Sequence, residues 1–449
     1  MKKIYYILIT IIFVTTSCEL TEVLDNDPPN NLVPENVVKN QTDLEALLNG
    51  VYSTIVSRTT SYYYHEFETM PSALVGTMSQ SGFGAANDDI RDNTVDFENT
   101  VVKNYWNIVY QVVNQANNVI EQANILSEEE ISEANRAKVL GEAKFLRAMA
   151  SFDILRYFGQ YWDESSIYGI VLRTSPSNFV TRSKARSTVL ESYSQIYSDL
   201  EEAIATAPDF SVSYRASKTA AKALKARVLL YNGKYSEAAS VADMVITEST
   251  RSLEPTFEEA FTKGISSTEM ILMTYRDVNS DIDQNNRKRF YSGRAISTGW
   301  FKTLITGDPR ESFTYSGTAI NKVNQTSTFR PTYYLRLAEM YLIKAEGLAN
   351  SGESLLNSKA ALDIIRNRAG TGDSPASTIA ALKDDIFEEY VKELAYENGS
   401  VWAASIRFDK IMSLKSSVIS SNQYILPIPE EEIIGNGEVN LDDQNPGYE

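Results

Sequence analysis

The sequence predicts a mainly α fold: a scaffold of helical hairpins carrying long loop insertions and a few short strands. Three observations point there. Apolar residues recur at helical spacing along most of the 449 residues, paired runs are joined by tight Gly or Pro punctuation, and the stretches between pairs are rich in Gly, Asn, Thr, Ser and aromatics. Hairpins of this kind cannot bury their apolar faces singly, so they stack into a curved solenoid.

The first strong helix lies in "AKVLGEAKFLRAMASFDILRYFG" (137–159), where Val139, Leu146, Met149, Phe152 and Leu155 cover most of the circumference. Such a helix packs on two sides, and Gly159 supplies its stop. A second, over about 188–206, ends before Pro208. The run "SKTAAKALKARVLLYNGKYSEAASVADMVI" (217–246) is read as two helices joined at Asn232–Gly233. Its Gly233, Tyr235 and Ala238 follow the turn of a tetratricopeptide repeat, and the small alanines allow close helix approach. A third pair is predicted over 330–352 and 354–370, with Tyr334, Ala338, Tyr341, Ala345 and Leu348 on one apolar face of its first helix. Helical repeats thus occupy about 136–250 and 330–400. Residues about 57–100 and 262–329, together with 160–186, are expected as loops, and insertions that long are usually functional.

The N-terminus reads as a targeting signal. Lys2 and Lys3 precede the apolar run Ile4–Val14, then Thr15, Thr16 and Ser17 lead to Cys18, the single cysteine of the chain. The eleven apolar residues fall short of the roughly 20 that span a bilayer, so residues 1–17 are a signal peptide. The small residues before Cys18 are similar to the lipobox of bacterial lipoproteins, which makes Cys18 the expected lipidation site. Residues 18–40, with "DNDPPNNLVPEN", form a lipidated tether, and 41–449 a single domain.

Composition excludes several functions. A net charge of −17 argues against nucleic-acid partners, which need clustered positive charge. One cysteine permits no intramolecular disulfide, and one histidine, His65, permits no His-based metal cluster. No Gly-x-Ser-x-Gly elbow accompanies His65. A glycosidase needs only two carboxylates about 5–10 Å apart, and no short motif singles out such a pair among 59 acids. Asp281, Asp283 and Asn285 begin like a calcium loop, but Asn286 and Ser292 stand where Gly and Glu are required. No catalytic residue, metal or cofactor is assigned, and a secreted glycoside hydrolase and a calcium-binding loop at 281–286 stay as the alternative readings.

Five segments, in order, resemble the SusD/RagB family of Bacteroidetes outer-membrane lipoproteins: "YWNIVYQVVNQANNVIEQA" (105–123), "GEAKFLRAMASFDILRYFG" (141–159), "RLAEMYLIKAEGLANSG", "LDIIRNRAG", and the tail "YILPIPEEEIIGNGEVNLDDQNPGY" (424–448). "KELAYENGSVWAASIRFDKI" (392–411) departs from the family pattern: it has Lys392, Val401 and Ala404 where charged partners are usual, and an extra residue before Gly399. Apolar repacking is expected there. The resemblance implies a tetratricopeptide-like scaffold in a cell-surface protein held at the outer membrane by lipid. It also implies a SusC-like TonB-dependent transporter as partner and a glycan, or another nutrient such as a peptide, as ligand. Glycan recognition needs flat aromatic faces beside amides, carboxylates and Arg forks. The insertions offer Tyr62, Tyr63 and Tyr64; Phe83, Asn87, Asp88 and Arg91; and Tyr291, Arg294 and Trp300. Trp106 and Trp402, on helical segments, are read as core, and Trp300 is open between core and ligand contact.

Overall fold

The structure is a computed structural model, and it describes residues 37–56, 63–79, 84–275, 295–296, 299–325 and 331–449. Helix α1 (Gln41–Val56) is followed by α2 (Tyr63–Val75), the two-residue strand β1 (Met78–Ser79) and α3 (Ala85–Asp92). The scaffold then runs through α4 (Thr100–Ile125), α5 (Glu133–Phe158), α6 (Val189–Thr206), α7 (Lys218–Tyr231) and α8 (Tyr235–Glu248). A less regular stretch carries α9 (Phe257–Thr262), β2 (Met270–Met273), β3 (Ala295–Ile296), α10 (Trp300–Ile305), β4 (Tyr315–Ser316), β5 (Ala319–Ile320) and β6 (Tyr333–Arg336). Helices α11 (Leu337–Asn350), α12 (Leu355–Arg368), α13 (Ile379–Leu394), α14 (Ser400–Arg407) and α15 (Glu430–Gly435) complete it.

The scaffold helices start where their sequences supply caps. Asn99 accepts from the N–H groups of Val101 and Val102, Ser132 from Asn135, and Thr188 forms a reciprocal box with Glu191. Each cap satisfies a first-turn donor that has no partner within its helix. Helix α5 is buried without a break from Phe145 to Phe158, as its all-round apolar pattern requires. The charged residues in that run are paired: Arg147 forks onto Asp199 of α6 at 2.6 and 2.7 Å and donates to Asn117 of α4 at 2.8 Å. One side chain thus ties three consecutive helices together.

Helices α7 and α8 meet at the predicted turn, where Gly233 takes φ 71°. Helix α8 then packs closely on α11. A Cβ at Gly347 of α11 would stand 2.5 Å from the Tyr235 carbonyl and 2.9 Å from Ala239 Cβ. The backbones touch only because neither position carries bulk. Gly347→Ala is therefore expected to destabilise the protein by about 1–3 kcal/mol, since α8 must move to admit one methyl. Denaturant unfolding checks this, with unchanged stability as the contrary result.

Three expectations need correction. Residues 57–100 contain helices α2 and α3 rather than loop alone. Phe67, Met70 and Leu74 recur at helical spacing and are buried, and the ending carries Gly76 at φ 79° with Thr77 N–H on the Ser72 carbonyl. Pro71 and the polar flanks hide that period in the sequence. The helix expected from 330 begins instead at Leu337, because Tyr333–Arg336 pairs antiparallel with Met270–Met273. Helix α11 is also buried on most sides rather than on one face, so Glu339 and Glu346 need partners, and they find Arg227 and Arg407.

The 392–411 segment is packed as expected around Val401, Trp402 and Ala404, all buried. The chain before Gly399 turns through left-handed backbone at Tyr396 (φ 67°), Asn398 (φ 50°) and Gly399 (φ 66°). Arg156 donates to the carbonyl and side-chain oxygens of Asn398 at 2.7 Å each, and Asn398 donates to the Tyr334 carbonyl at 2.8 Å. These bonds hold a conformation that is costly for non-glycine residues. The tail is held similarly: Asn445 donates to the Phe158 and Leu426 carbonyls at 2.9 and 2.7 Å, and Arg186 donates back to it at 2.6 Å.

Candidate functional site

The two insertion regions meet. Strand β1 pairs antiparallel with β3 (Met78 opposite Ile296), β3 pairs with β5, and β5 with β4, making a small sheet from segments more than 200 residues apart. Beside this junction, Trp300 donates its indole N–H to the Val75 carbonyl at 3.1 Å. Lys415 lies against the same corner and donates to the Arg91 carbonyl at 2.5 Å. A Cβ at Gly76 would stand 3.2 Å from Lys415 Cδ and 3.5 Å from Trp300 Nε1, so both side chains close over that glycine.

Of the sequence candidates, the structure therefore brings Arg91 and Trp300 to one corner. Arg91 sits on α3, and its guanidinium is held by Asp88 at 2.5 Å and Asp92 at 2.6 and 2.8 Å. Asn87 and Asp88 share that helix and are half-buried. Trp300 is partly exposed, with its N–H committed to backbone. Trp106 and Trp402 are core, as expected. Tyr63 and Tyr64 open α2, and only their backbone is described. Tyr62, Phe83, Tyr291, Arg294 and the Asp281–Asp283–Asn285 loop lie outside the described residues, as do Cys18 and the N-terminal signal. Among the described residues no group of three His, Cys, Asp or Glu is placed to hold a metal, and no helix is long and apolar enough to cross a membrane.

A second feature was missed in the sequence. Between α1, α5 and the end of β2 lies a cavity of about 430 Å³, within the range of small-ligand pockets. Tyr214 and Tyr275 stack at its edge, with centroids 4.7 Å apart and planes at 24°. Tyr52 forms another wall, with the Arg215 guanidinium 4.3 Å above its ring. Tyr334 connects the cavity to the insertion face, because its ring also stacks on Phe67 of α2 at 4.8 Å. The interior is aliphatic and sulfur-bearing: Ile55, Leu146, Met149, Leu272 and Met273.

The electrostatics of this cavity are largely closed. Tyr52 donates to Glu142 at 2.7 Å and accepts from Ala216 N–H at 2.9 Å. Burial, with the Glu142 carboxylate beside it, raises the Tyr52 phenol well above its ordinary value, so it stays neutral. Arg215 is engaged by Asn49 at 2.5 Å and Glu142 at 3.0 Å. Such a chamber stabilises apolar surface at roughly 25 cal/mol per Å² and penalises each unpartnered buried hydroxyl by roughly 1–3 kcal/mol. The available sequence signals were an aromatic-basic pair in a short loop (Tyr214–Arg215) and a tyrosine just past a buried strand (Tyr275). Attention to the long insertions alone passes over Tyr214–Arg215, and Tyr275, although inside the 262–329 insertion, is not among the candidates read there.

A helical-hairpin scaffold with a small sheet and a lateral cavity defines a class of helical-repeat proteins, and comparison with known proteins specifies which. A SusD-like family model described as "Starch-binding associating with outer membrane" matches residues 22–230, and the SusD family model matches 309–408, together well over half of the chain. The chain belongs to the SusD family. SusD-like protein P2 of Formosa agariphila is 25% identical to it over 528 aligned positions, covering all of both chains. A SusD superfamily structure from Bacteroides thetaiotaomicron superposes with a TM-score of 0.79 at 21% identity, over 91% of this chain and all of that one. A laminarin-binding SusD-like protein superposes with a TM-score of 0.73 at 23% identity, over 92% of this chain and all of the other. At these identities the structural likenesses establish the shared fold.

Proposed function

We propose that this protein is a lipid-anchored, cell-surface binding protein that captures a glycan and passes it to a SusC-like TonB-dependent transporter, acting by binding alone. The observation that carries the reading is the match of residues 22–230 to a family model described as starch-binding and associating with outer membrane; the Tyr214–Tyr275 stack at the cavity edge adds aromatic surface on which a sugar can rest. The solved relative that binds laminarin adds support for a glucan-type ligand. Residues 1–17 direct export, Cys18 carries the lipid, and the tether to about residue 40 leaves the domain free to reach a membrane partner. Trp300 and Arg91 at their shared corner, with Asn87 and Asp88 on the same helix as Arg91, supply further ligand contacts.

The test is retention of purified protein in native gels containing starch or laminarin, run beside Trp300→Ala. Slowed migration is expected for at least one polysaccharide, with weaker retention for Trp300→Ala; free migration in both gels opposes the glycan reading. Labelled palmitate is expected to enter the wild-type protein and not Cys18→Ala. Capture of the tagged protein from its own outer membrane is expected to bring down a large β-barrel transporter.

A further inference from the structure

We propose that the cavity between α1 and β2 receives an apolar ring or acyl group attached to the ligand, so that the glycan taken up is a substituted one. The glycan part of this inference rests on the function proposed above; the apolar group rests on the cavity itself.

A pyranose carries hydroxyls around its rim, and each must find a partner when it leaves water. The polar atoms along this cavity are mostly committed to the protein. The Tyr52 hydroxyl is shared between Glu142 and Ala216, and the Tyr334 hydroxyl donates to both Asp153 oxygens at 2.9 Å. Arg215 is held between Asn49 and Glu142, and Thr274 exchanges two bonds of 2.8 and 2.9 Å with Thr332. Ser53 and Asn49 are exposed on α1 at the rim, and Tyr214 and Tyr275 are partly exposed beside them. Hydrogen-bonding capacity is therefore concentrated at the opening, and the depth is aliphatic.

That division matches a ligand with a sugar at the mouth and an apolar substituent inside. The Tyr214–Tyr275 stack gives a flat wall suited to an aryl ring, and Met149 and Met273 supply adaptable surface around it. A bare sugar ring placed at the same depth would exchange its water for methyl groups.

The experiment compares 4-nitrophenyl β-D-glucopyranoside with methyl β-D-glucopyranoside by saturation-transfer NMR and titration calorimetry, using the protein with Cys18→Ala. Two variants accompany it: Ser53→Trp, which fills the mouth from an exposed helix position, and Tyr275→Ala, which removes the stack. The aryl glycoside is expected to bind about tenfold more tightly, with the strongest transfer to its aryl protons, and each variant is expected to weaken it about tenfold while circular dichroism is unchanged. Equal binding of the two glycosides, no binding of either, or aryl binding indifferent to both variants overturns the inference. Polysaccharide retention without an aryl preference removes the cavity assignment and leaves the glycan reading standing. An aryl preference without polysaccharide retention does the reverse.

Discussion

Glu393→Gln is expected to cost roughly 3 kcal/mol of stability at neutral pH, although it removes no bulk. Glu393 is fully buried near the end of α13 and faces three guanidinium groups: Arg310 at 2.9 Å, Arg336 at 3.1 Å, and Arg368. Around them, Asp308, Glu269, Glu389 and Glu397 complete the same cluster, and buried Lys322 donates to the Glu393 and Ala395 carbonyls at 2.7 and 2.9 Å. Burial opposes the charge on Glu393, but Arg368, Arg336 and Arg310 outweigh it and hold the carboxyl down at about 2, against an ordinary 4.5. The amide of glutamine would turn a donor toward guanidinium groups that need an acceptor.

The pH dependence follows in sign. The folded value lies below the unfolded one, so this contribution is complete above about pH 4.5 and is lost as pH falls toward 2. The gap between wild type and Glu393→Gln is therefore expected to be widest at pH 7 and to close between pH 4.5 and 2. Urea unfolding at pH 7, 4.5 and 3 measures it, and a gap that stays constant across that range refutes the account. The cluster also matters for the binding face. Arg310 and Lys322 belong to the insertion that carries Trp300 and β5, while Glu389, Glu393 and Glu397 belong to the scaffold. Charge pairing joins one to the other, beside the buried Phe301–Tyr396 ring contact at 5.6 Å.

Part of this was legible in the sequence. The turn at Asn232–Gly233 was visible because local chemistry dictates it: a glycine in left-handed backbone between two alanine-rich helices. Glu389 and Glu393 stand four residues apart on an otherwise apolar helix face, which is a readable sign of buried charge. The strand at Tyr333–Arg336 was not legible, because Tyr334, Ala338 and Tyr341 also fit a helical period and the pairing partner lies some 60 residues earlier. Strands of two residues such as β1 and β3 carry no period at all. The cavity is harder still. Tyr52 reads as an ordinary helix residue, Tyr214 and Tyr275 as isolated loop aromatics, and only tertiary structure brings them together. Periodicity and family resemblance gave the scaffold, whereas the ligand face depends on non-local contacts that no short motif encodes.

Arg227→Met is the second large effect expected, at about 3–5 kcal/mol. Arg227 of α7 is buried and forks onto Glu339 of α11 at 2.6 and 2.7 Å. It also donates to the Tyr334 carbonyl, in the strand that leads into α11. Removing the cation leaves a carboxylate in the interior with its fork gone, and that desolvated charge is the main penalty rather than the lost attraction itself. The double variant Arg227→Met/Glu339→Leu is therefore expected to be more stable than Arg227→Met alone, because apolar residues of similar volume can replace a buried pair at little cost. If the double variant is instead as unstable as the sum of the two single changes, the pair is not coupled and the desolvation argument fails. The second readout is ligand affinity. Tyr334 lines the cavity and is held from both ends, by Arg227 at its carbonyl and Asp153 at its hydroxyl. The double variant keeps the fold but frees one of those ends, so it is expected to bind the aryl glycoside more weakly than wild type at full structural content. Unchanged affinity in that variant would mean that the cavity wall is positioned by packing on Phe67 rather than by the arginine.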